Sequence, residues 1–308
     1  MPDADAASRL GGRGGCRCNR CNLMFERGDN TFLDLTVGST AGTGAYDESR
    51  WGGTTIFETG LVSFVYERGW RQGFAWAGFP GVEEEAEMAL ERLKSGPTTQ
   101  GGVVVDASCG SGLFTRALLA ARDGPGGNPT FRSVVALDFS ANMLKQTAAF
   151  LDEKAPGDDR MRARLVRADI GRLPFPTGSV DGVHAGAAIH CWPSPVAALA
   201  EVARVLAPGG VFVGSTFLTP ASPLEEALSP LGDLGEAAAE AAEVLSRALP
   251  GEMSAVSSNY RWWTERELRD LSAAVGLEDF RRVRRNRFIL FSVRKPKRRS
   301  GDGADDKE

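Results

Sequence analysis

Short, unbroken apolar runs punctuate this chain from residue 103 onward. They fall at about 103–106, 134–138, 163–168, 181–186 and 211–217. Runs of about four to eight residues without polar alternation suit strands buried on both faces. Between them, 113–122, 140–154 and 195–206 carry apolar residues at helical spacing, and Ser140 stands where a helix cap is needed. Ala207-Pro208-Gly209-Gly210 is expected to be a turn that ends the last of these helices. Repeated strand–helix units predict an α/β fold, a doubly wound and mostly parallel sheet.

The flanks differ. TFLDLTV, from Thr31 to Val37, is a short strand candidate. Within 56–79, Leu61, Phe64, Val65 and Trp70 fall near helical spacing. Glu83 to Lys94 reads as a helix opened by acids, closed by a lysine and stopped at Gly96-Pro97. Residues 220–250 interrupt the alternation with an Ala/Glu-rich helical stretch and several prolines, read as an insertion or lid. A helix returns at TERELRDLSAAVGL, where Thr264 and Glu267 have capping-box spacing. The chain then forms two strands about Asn286, an antiparallel hairpin.

The 308 residues suit one large domain or two small ones. The expected division is a disordered 1–15, a cysteine-bearing segment and linker over 16–45, one domain over 46–295 and a charged tail over 296–308. A net charge of -4 selects no partner. No run approaches the roughly 18 apolar residues of a membrane helix, and the start carries no apolar leader core. The five cysteines form no disulfide framework, which points to a reducing compartment.

Chemistry concentrates in VVVDASCGSG, Val103 to Gly112. A strand, a glycine loop and a helix also describe a dinucleotide site, but Gly110-Ser-Gly112 lacks the third glycine of that fingerprint. Asp106 just ahead of the loop would repel a pyrophosphate and suits a cationic ligand. S-adenosylmethionine carries an amino group and a sulfonium and has no phosphate. Asp138 ends the next strand, where an acid can hold two ribose hydroxyls, and Asp169 ends the third. Isolated strand-end acids are ordinary turn residues; three at successive strand ends form a constellation.

These stretches, with RADIGRLPFPTGSVDGVHAGAAIHCWPSP and ALAEVARVLAPGGVFVGSTF, resemble a class I S-adenosylmethionine-dependent methyltransferase of the type 11 family over about 100–217. With FLDLTV and LVSFVYERGWRQGF, the likeness narrows to a plant and algal group of plastid methyltransferases. The resemblance implies a Rossmann-like sheet of seven strands with an antiparallel C-terminal hairpin, and a chloroplast location, with the cytoplasm as alternative. It implies that Asp106, Gly110 and Gly112 line the methionine end of the cofactor. Asp138 would bind the ribose, Met143 would pack near the adenine, and Asp169 and Ile170 would flank its ring. Ala185 and Gly186 would form the floor near the reactive methyl. Ser108 replaces the family's first loop glycine and can either serve the turn or also bond the cofactor.

Relatives of this kind often begin with a zinc ribbon of two Cys-x-x-Cys knuckles. Here Cys18 and Cys21, followed by Phe25, resemble the second knuckle alone. Cys16 could be a third ligand, but structural zinc takes four; the alternative is a metal-free remnant. On the acceptor side, His190 in AAIHCWPSP could act as base, orient the acceptor, or make a structural hydrogen bond. His184 reads as packing and Cys191 as filler. Trp192 could wall the pocket or anchor its loop. Phe74, Trp76 and Phe79 could form an apolar lid or simply helix-packing core. The acceptor expected from the family's habits is a small, lipophilic, quinone-like metabolite. RRVRRNR keeps an RNA substrate as alternative, although arginines on an edge hairpin usually form a solvated face. A cofactor-binding protein without turnover is a third reading. Peripheral membrane contact and the oligomeric state stay open.

Overall fold

The structure is a computed structural model. It describes residues 16–17, 24–25, 27–28, 31–36, 72–97, 102–123, 127–155, 157–228, 230, 238, 241 and 261–297. The N-terminal 1–15, Cys18, Cys21, the 56–71 aromatic stretch, most of the 220–250 insertion and the tail from 298 lie outside the described residues.

The elements in chain order are β1 (Cys16–Arg17), β2 (Met24–Phe25), β3 (Arg27–Gly28), β4 (Phe32–Asp34), α1 (Val82–Lys94), β5 (Gly102–Ala107), α2 (Leu113–Ala120), β6 (Phe131–Asp138), α3 (Ala141–Lys154), α4 (Gly157–Arg162), β7 (Ala163–Arg167), β8 (Val180–Ala185), α5 (Pro195–Val205), β9 (Leu206–Phe217), α6 (Ser222–Leu228), α7 (Glu265–Ala274), β10 (Glu278–Arg285) and β11 (Phe288–Arg294). Among the described residues, strands β1 and β2 pair only with each other. The rest form one sheet in the order β10-β11-β9-β8-β5-β6-β7-β4-β3. From β4 to β9 the neighbours are parallel, and the β10–β11 hairpin closes the sheet antiparallel. The chain winds outward from β5 through β6 to β7, then returns to β8 on the other side of β5. The β5–β8 seam is therefore the switch point of the winding, where doubly wound sheets take their ligands.

The alternation of side chains sends neighbours to opposite faces. Val105, Val183 and Phe212 meet Leu199 and Val202 of α5 and Leu268 of α7. Val104 and Val213 meet Leu93 of α1, Leu118 and Leu119 of α2 and Leu144 and Leu151 of α3. Both faces are covered, which is why the strands read as unbroken apolar runs.

Among the described residues nine strands, not seven, make the sheet. Strand β4 lies parallel to β7, with Asp34 opposite Arg167, and β3 pairs with β4. Arg167 Nη1 contacts Asp34 Oδ2 at 2.9 Å, while its Nε donates to the Phe139 carbonyl at 2.8 Å. The sheet thus takes in residues ahead of the boundary expected at 46. The expected turn at Ala207–Gly210 is also corrected. These residues lie inside β9, where the register jumps from Val180–Leu206 to Gly182–Val211. Gly209 takes φ 82°, and the loosened backbone pairs instead with Lys295, through Gly209 N to its carbonyl and its amide to Gly210 O.

The helix starts are as the sequence requires. Ser140 accepts from the Met143 amide and Ser194 from the Ala197 amide. Thr264 and Glu267 form the reciprocal capping box. Because Oγ1 of Thr264 takes an amide that the helix itself leaves unbonded, Thr264→Ala is expected to cost about 1 kcal/mol. The drop in urea midpoint at unchanged slope is the measurement.

Candidate active site

The glycine loop between β5 and α2 is shaped by three left-handed residues, Ser108 (φ 57°), Gly110 (φ 57°) and Gly112 (φ 83°). A Cβ on Gly112 would come within 2.7 Å of Thr147 Cγ2. Thr147 is the reason for that closeness, since its Oγ1 lies 2.7 Å from the Gly110 carbonyl. The Gly110 amide in turn donates to Asp138 Oδ2 at 2.9 Å, and the Ser140 amide donates to Oδ1 at 2.8 Å. The loop is therefore folded around the acid at the tip of β6.

Asp106 sits deeper. Only 1% exposed, it accepts from Thr115 Oγ1 at 2.5 Å and faces His184 Nδ1 at 2.8 Å. Both of its oxygens are engaged beneath the loop, so its influence on the loop's outer side is exerted through its field. His184, expected as packing, is that buried partner, with Phe114 4.5 Å from its ring. Burial raises the Asp138 carboxyl to about 6, with the Asp106 charge adding, while the Ser140 and Gly110 amides oppose the shift. Burial first, then Asp138 and Asp106, push the Cys109 thiol well up. Burial and Asp138 do the same to Cys191. Neither thiol offers a thiolate at neutral pH, in keeping with a filler role for Cys191.

Asp169 follows β7 as a turn acid: its Oδ1 accepts from the Gly171 amide at 2.8 Å and its carbonyl from Arg172 N. Ile170 beside it and Met143 in the first turn of α3 are buried. Ala185 ends β8 fully buried. A Cβ on Gly186 would meet Phe114 at 2.6 Å and His184 at 2.9 Å, so only a hydrogen fits there. The topology thus sets Asp106, Ser108, Gly110, Gly112, Asp138, Met143, Asp169, Ile170, Ala185 and Gly186 along one edge, at the C-terminal ends of β5 to β8.

The loop after β8 is held from beneath. Ala187 takes φ 50°, and its amide donates to Ser215 Oγ at 2.7 Å. That hydroxyl donates to Glu85 of α1 at 2.5 Å, a fully buried carboxylate. His190 lies in the 3-10 turn Ile189–Cys191, buried, with Nδ1 3.1 Å from Thr216 Oγ1 and its ring edge-on to Phe217 at 5.0 Å. Trp192 Nε1 donates to Ser108 Oγ at 3.0 Å. Trp192 therefore anchors its loop, and Ser108 ties the glycine loop to the His190 loop. The three aromatics expected as lid or core divide. Phe79 is buried and packs on Phe217 at 4.6 Å, Phe74 on the same ring at 4.8 Å, and Trp76 remains 51% exposed beside it. Thr147, Glu85, Ser215 and Thr216 were not foreseen. Ser215 and Thr216 stand inside an apolar run, which was the available signal, but it names no partner; Glu85 is one of three successive acids and carried none.

Residues 105–214 match the family model described as a methyltransferase domain. Two Arabidopsis thaliana proteins, both named uncharacterised chloroplastic methyltransferases, are 45% and 42% identical to this chain over 91% and 92% of its length. The matches span 70% and 71% of theirs. The chain belongs to this methyltransferase family. The methyltransferase also shares its fold with phosphoethanolamine N-methyltransferase 2 of Haemonchus contortus, solved in complex with S-adenosyl-L-methionine. The TM-score is 0.53 at 15% identity, covering 78% of this chain and 58% of that one.

For the methyltransferase, the left-handed serine is testable. Ser108→Ala loses the Trp192 bond and keeps a backbone that costs a side chain about 1–2 kcal/mol. Ser108→Gly loses the same bond but relaxes the backbone. The glycine variant is expected to be the more stable of the two by about 1 kcal/mol in urea unfolding. Equal stability would show that residue 108 does not hold φ 57°.

Proposed function

We propose that this methyltransferase uses S-adenosylmethionine to methylate a small, lipophilic, quinone-like acceptor in the plastid. The observation that carries the cofactor assignment is Asp138, partly buried at the tip of β6, bonded to the glycine loop, with the Asp106 charge beneath it. Asp106, beneath the loop where a dinucleotide would place its pyrophosphate, disfavours phosphate and favours a cation, while Asp138 suits the ribose of any adenosine ligand. The residues fit the group further: Met143 and Ile170 offer buried apolar surface near the same edge.

When bound, S-adenosylmethionine supplies an electrophilic methyl on a sulfonium that departs as a neutral thioether. Asp138 would accept from the ribose hydroxyls, and Asp169 from the adenine amino group. The field of Asp106 and Asp138 would favour the cationic end. Catalysis then rests chiefly on holding the acceptor in line in a dry cleft. His190, steadied by Thr216, would orient the acceptor or take its proton. The aromatic surface of Phe217, Trp76 and Trp262 supports an apolar acceptor. RNA is disfavoured because the arginines of the hairpin are engaged: Arg281 with Asp279, Arg282 and Arg284 with Glu265, and Arg285 with Glu84. The location in the plastid is supported by the chloroplastic naming of the Arabidopsis relatives.

Calorimetry is expected to show S-adenosylmethionine binding, weakened about 10- to 100-fold by Asp138→Ala. A folded protein that binds none would defeat the assignment. His190→Ala is expected to lower turnover of labelled methyl into a plastid extract by about 10²-fold or more, with cofactor affinity nearly unchanged.

The pH dependence has two opposite signs. Asp138 titrates near 6 in the fold against an ordinary 3.8, so between those values the folded protein holds the extra proton. Its contribution to ligand-free stability therefore rises as pH falls through 6, by at most about 3 kcal/mol. Ribose hydroxyls need the ionised acid, so cofactor affinity should instead fall about tenfold per pH unit below 6. Titrations at pH 5, 6 and 7, with Asp138→Asn as control, check both signs.

A further inference from the structure

Arg287 is the second residue of the turn between β10 and β11, on the ligand edge of the sheet beside the end of β9. It is buried, 8% exposed. Its guanidinium carbon lies 4.4 Å from the Trp262 ring centre and 4.9 Å from that of Trp76. Nε donates to the Leu218 carbonyl at 3.2 Å. Nη2 is buried with no hydrogen-bond partner. Among the described residues no carboxylate pairs with this cation, while Arg281, Arg282, Arg284 and Arg285 on the same hairpin each have an acid.

An enclosed guanidinium without an anion is expensive, and cation–π contacts offset only part of the loss. The backbone enforces the position, since Arg287 N donates to Ala77 O at 2.9 Å and its carbonyl accepts from Leu218 N at 2.6 Å. The site is contiguous with the acceptor side. Phe217, next to Leu218, packs against Trp262, Trp76 and His190, at 5.7, 6.4 and 5.0 Å between ring centres. Trp76 is the exposed wall and the one that can give way.

We infer that Arg287 anchors an anionic group of the methyl acceptor, whose apolar body lies against Trp76, Trp262 and Phe217. This rests on the proposed methyltransferase reading and narrows its substrate class to apolar, ring-bearing anions. A carboxylate or a phosphate monoester would supply the missing partner of Nη2, both as charge-assisted acceptors.

The test is calorimetric titration of the intact chain with benzoate, phenyl phosphate and benzamide as probes. At least one anion should bind ten or more times tighter than neutral benzamide. Benzoate leading assigns a carboxylate, and phenyl phosphate leading assigns a phosphate. Arg287→Met should abolish the preference while S-adenosylmethionine affinity stays unchanged. Trp76→Ala, at an exposed position, should weaken the preferred anion at least fivefold, which keeps the test decisive if Arg287→Met does not fold. Equal binding of the three probes, a preference that survives Arg287→Met, or no effect of Trp76→Ala overturns the inference. Failure of S-adenosylmethionine to bind the wild type would instead defeat the cofactor reading, and the anion measurements are independent of it.

Discussion

The bond from the Gly110 amide to the Asp138 carboxylate ties the glycine loop to the tip of β6, one step beyond the last backbone bond between them, from the Cys109 amide to the Leu137 carbonyl. Strands β5 and β6 pair through Ala107 and Leu137, and beyond that the chain must turn away in both directions. Asp138 stops the divergence by accepting from the loop on one side and from Ser140 on the other. Thr147 closes the remaining gap from α3. The cradle is thus set by two polar side chains, Asp138 and Thr147, anchored in regular elements, which keeps its loop backbone rigid enough to hold three left-handed residues. The same carboxylate is the one proposed to hold the ribose, so on that reading the group that builds the site also serves it.

Much of this was legible in the sequence because the controlling interactions are local or periodic. The parallel strands show as unbroken apolar runs since helices cover both faces. The capping box at Thr264 and the turn at Asn286 are contained within four residues each. What escaped was long-range. Strand β4 was legible as a short strand within TFLDLTV, but its place was not: it joins the sheet because Arg167 and the edge of β7 receive it. Ala207–Gly210 has every mark of a turn, yet Lys295, far along the chain, satisfies its backbone and keeps β9 continuous.

The site itself divides in the same way. Residue types and strand-end positions pointed to Asp138 and Asp169, but partners could not be read. Asp106 looked like an acid presented to a ligand and is held by Thr115 and His184 in the interior. Ser108 was open between serving the turn and also bonding the cofactor, and its hydroxyl is the acceptor of Trp192. Arg287 was one arginine in a run that looked uniformly solvated. Alternation about a tight turn separates it from its neighbours, which find acids while it is turned inward between two tryptophans.

The parallel stack would otherwise finish at β7, whose outer side would present a row of unbonded amides and carbonyls flanked by Leu165 and Val166. Strand β4 occupies that side, and the Asp34–Arg167 pair fixes it in register. A copy of the chain lacking these residues would keep its ligand edge but carry an open, apolar sheet margin able to accept a strand from another molecule. The short N-terminal strand thus covers part of the margin at which an open sheet would take up a second chain.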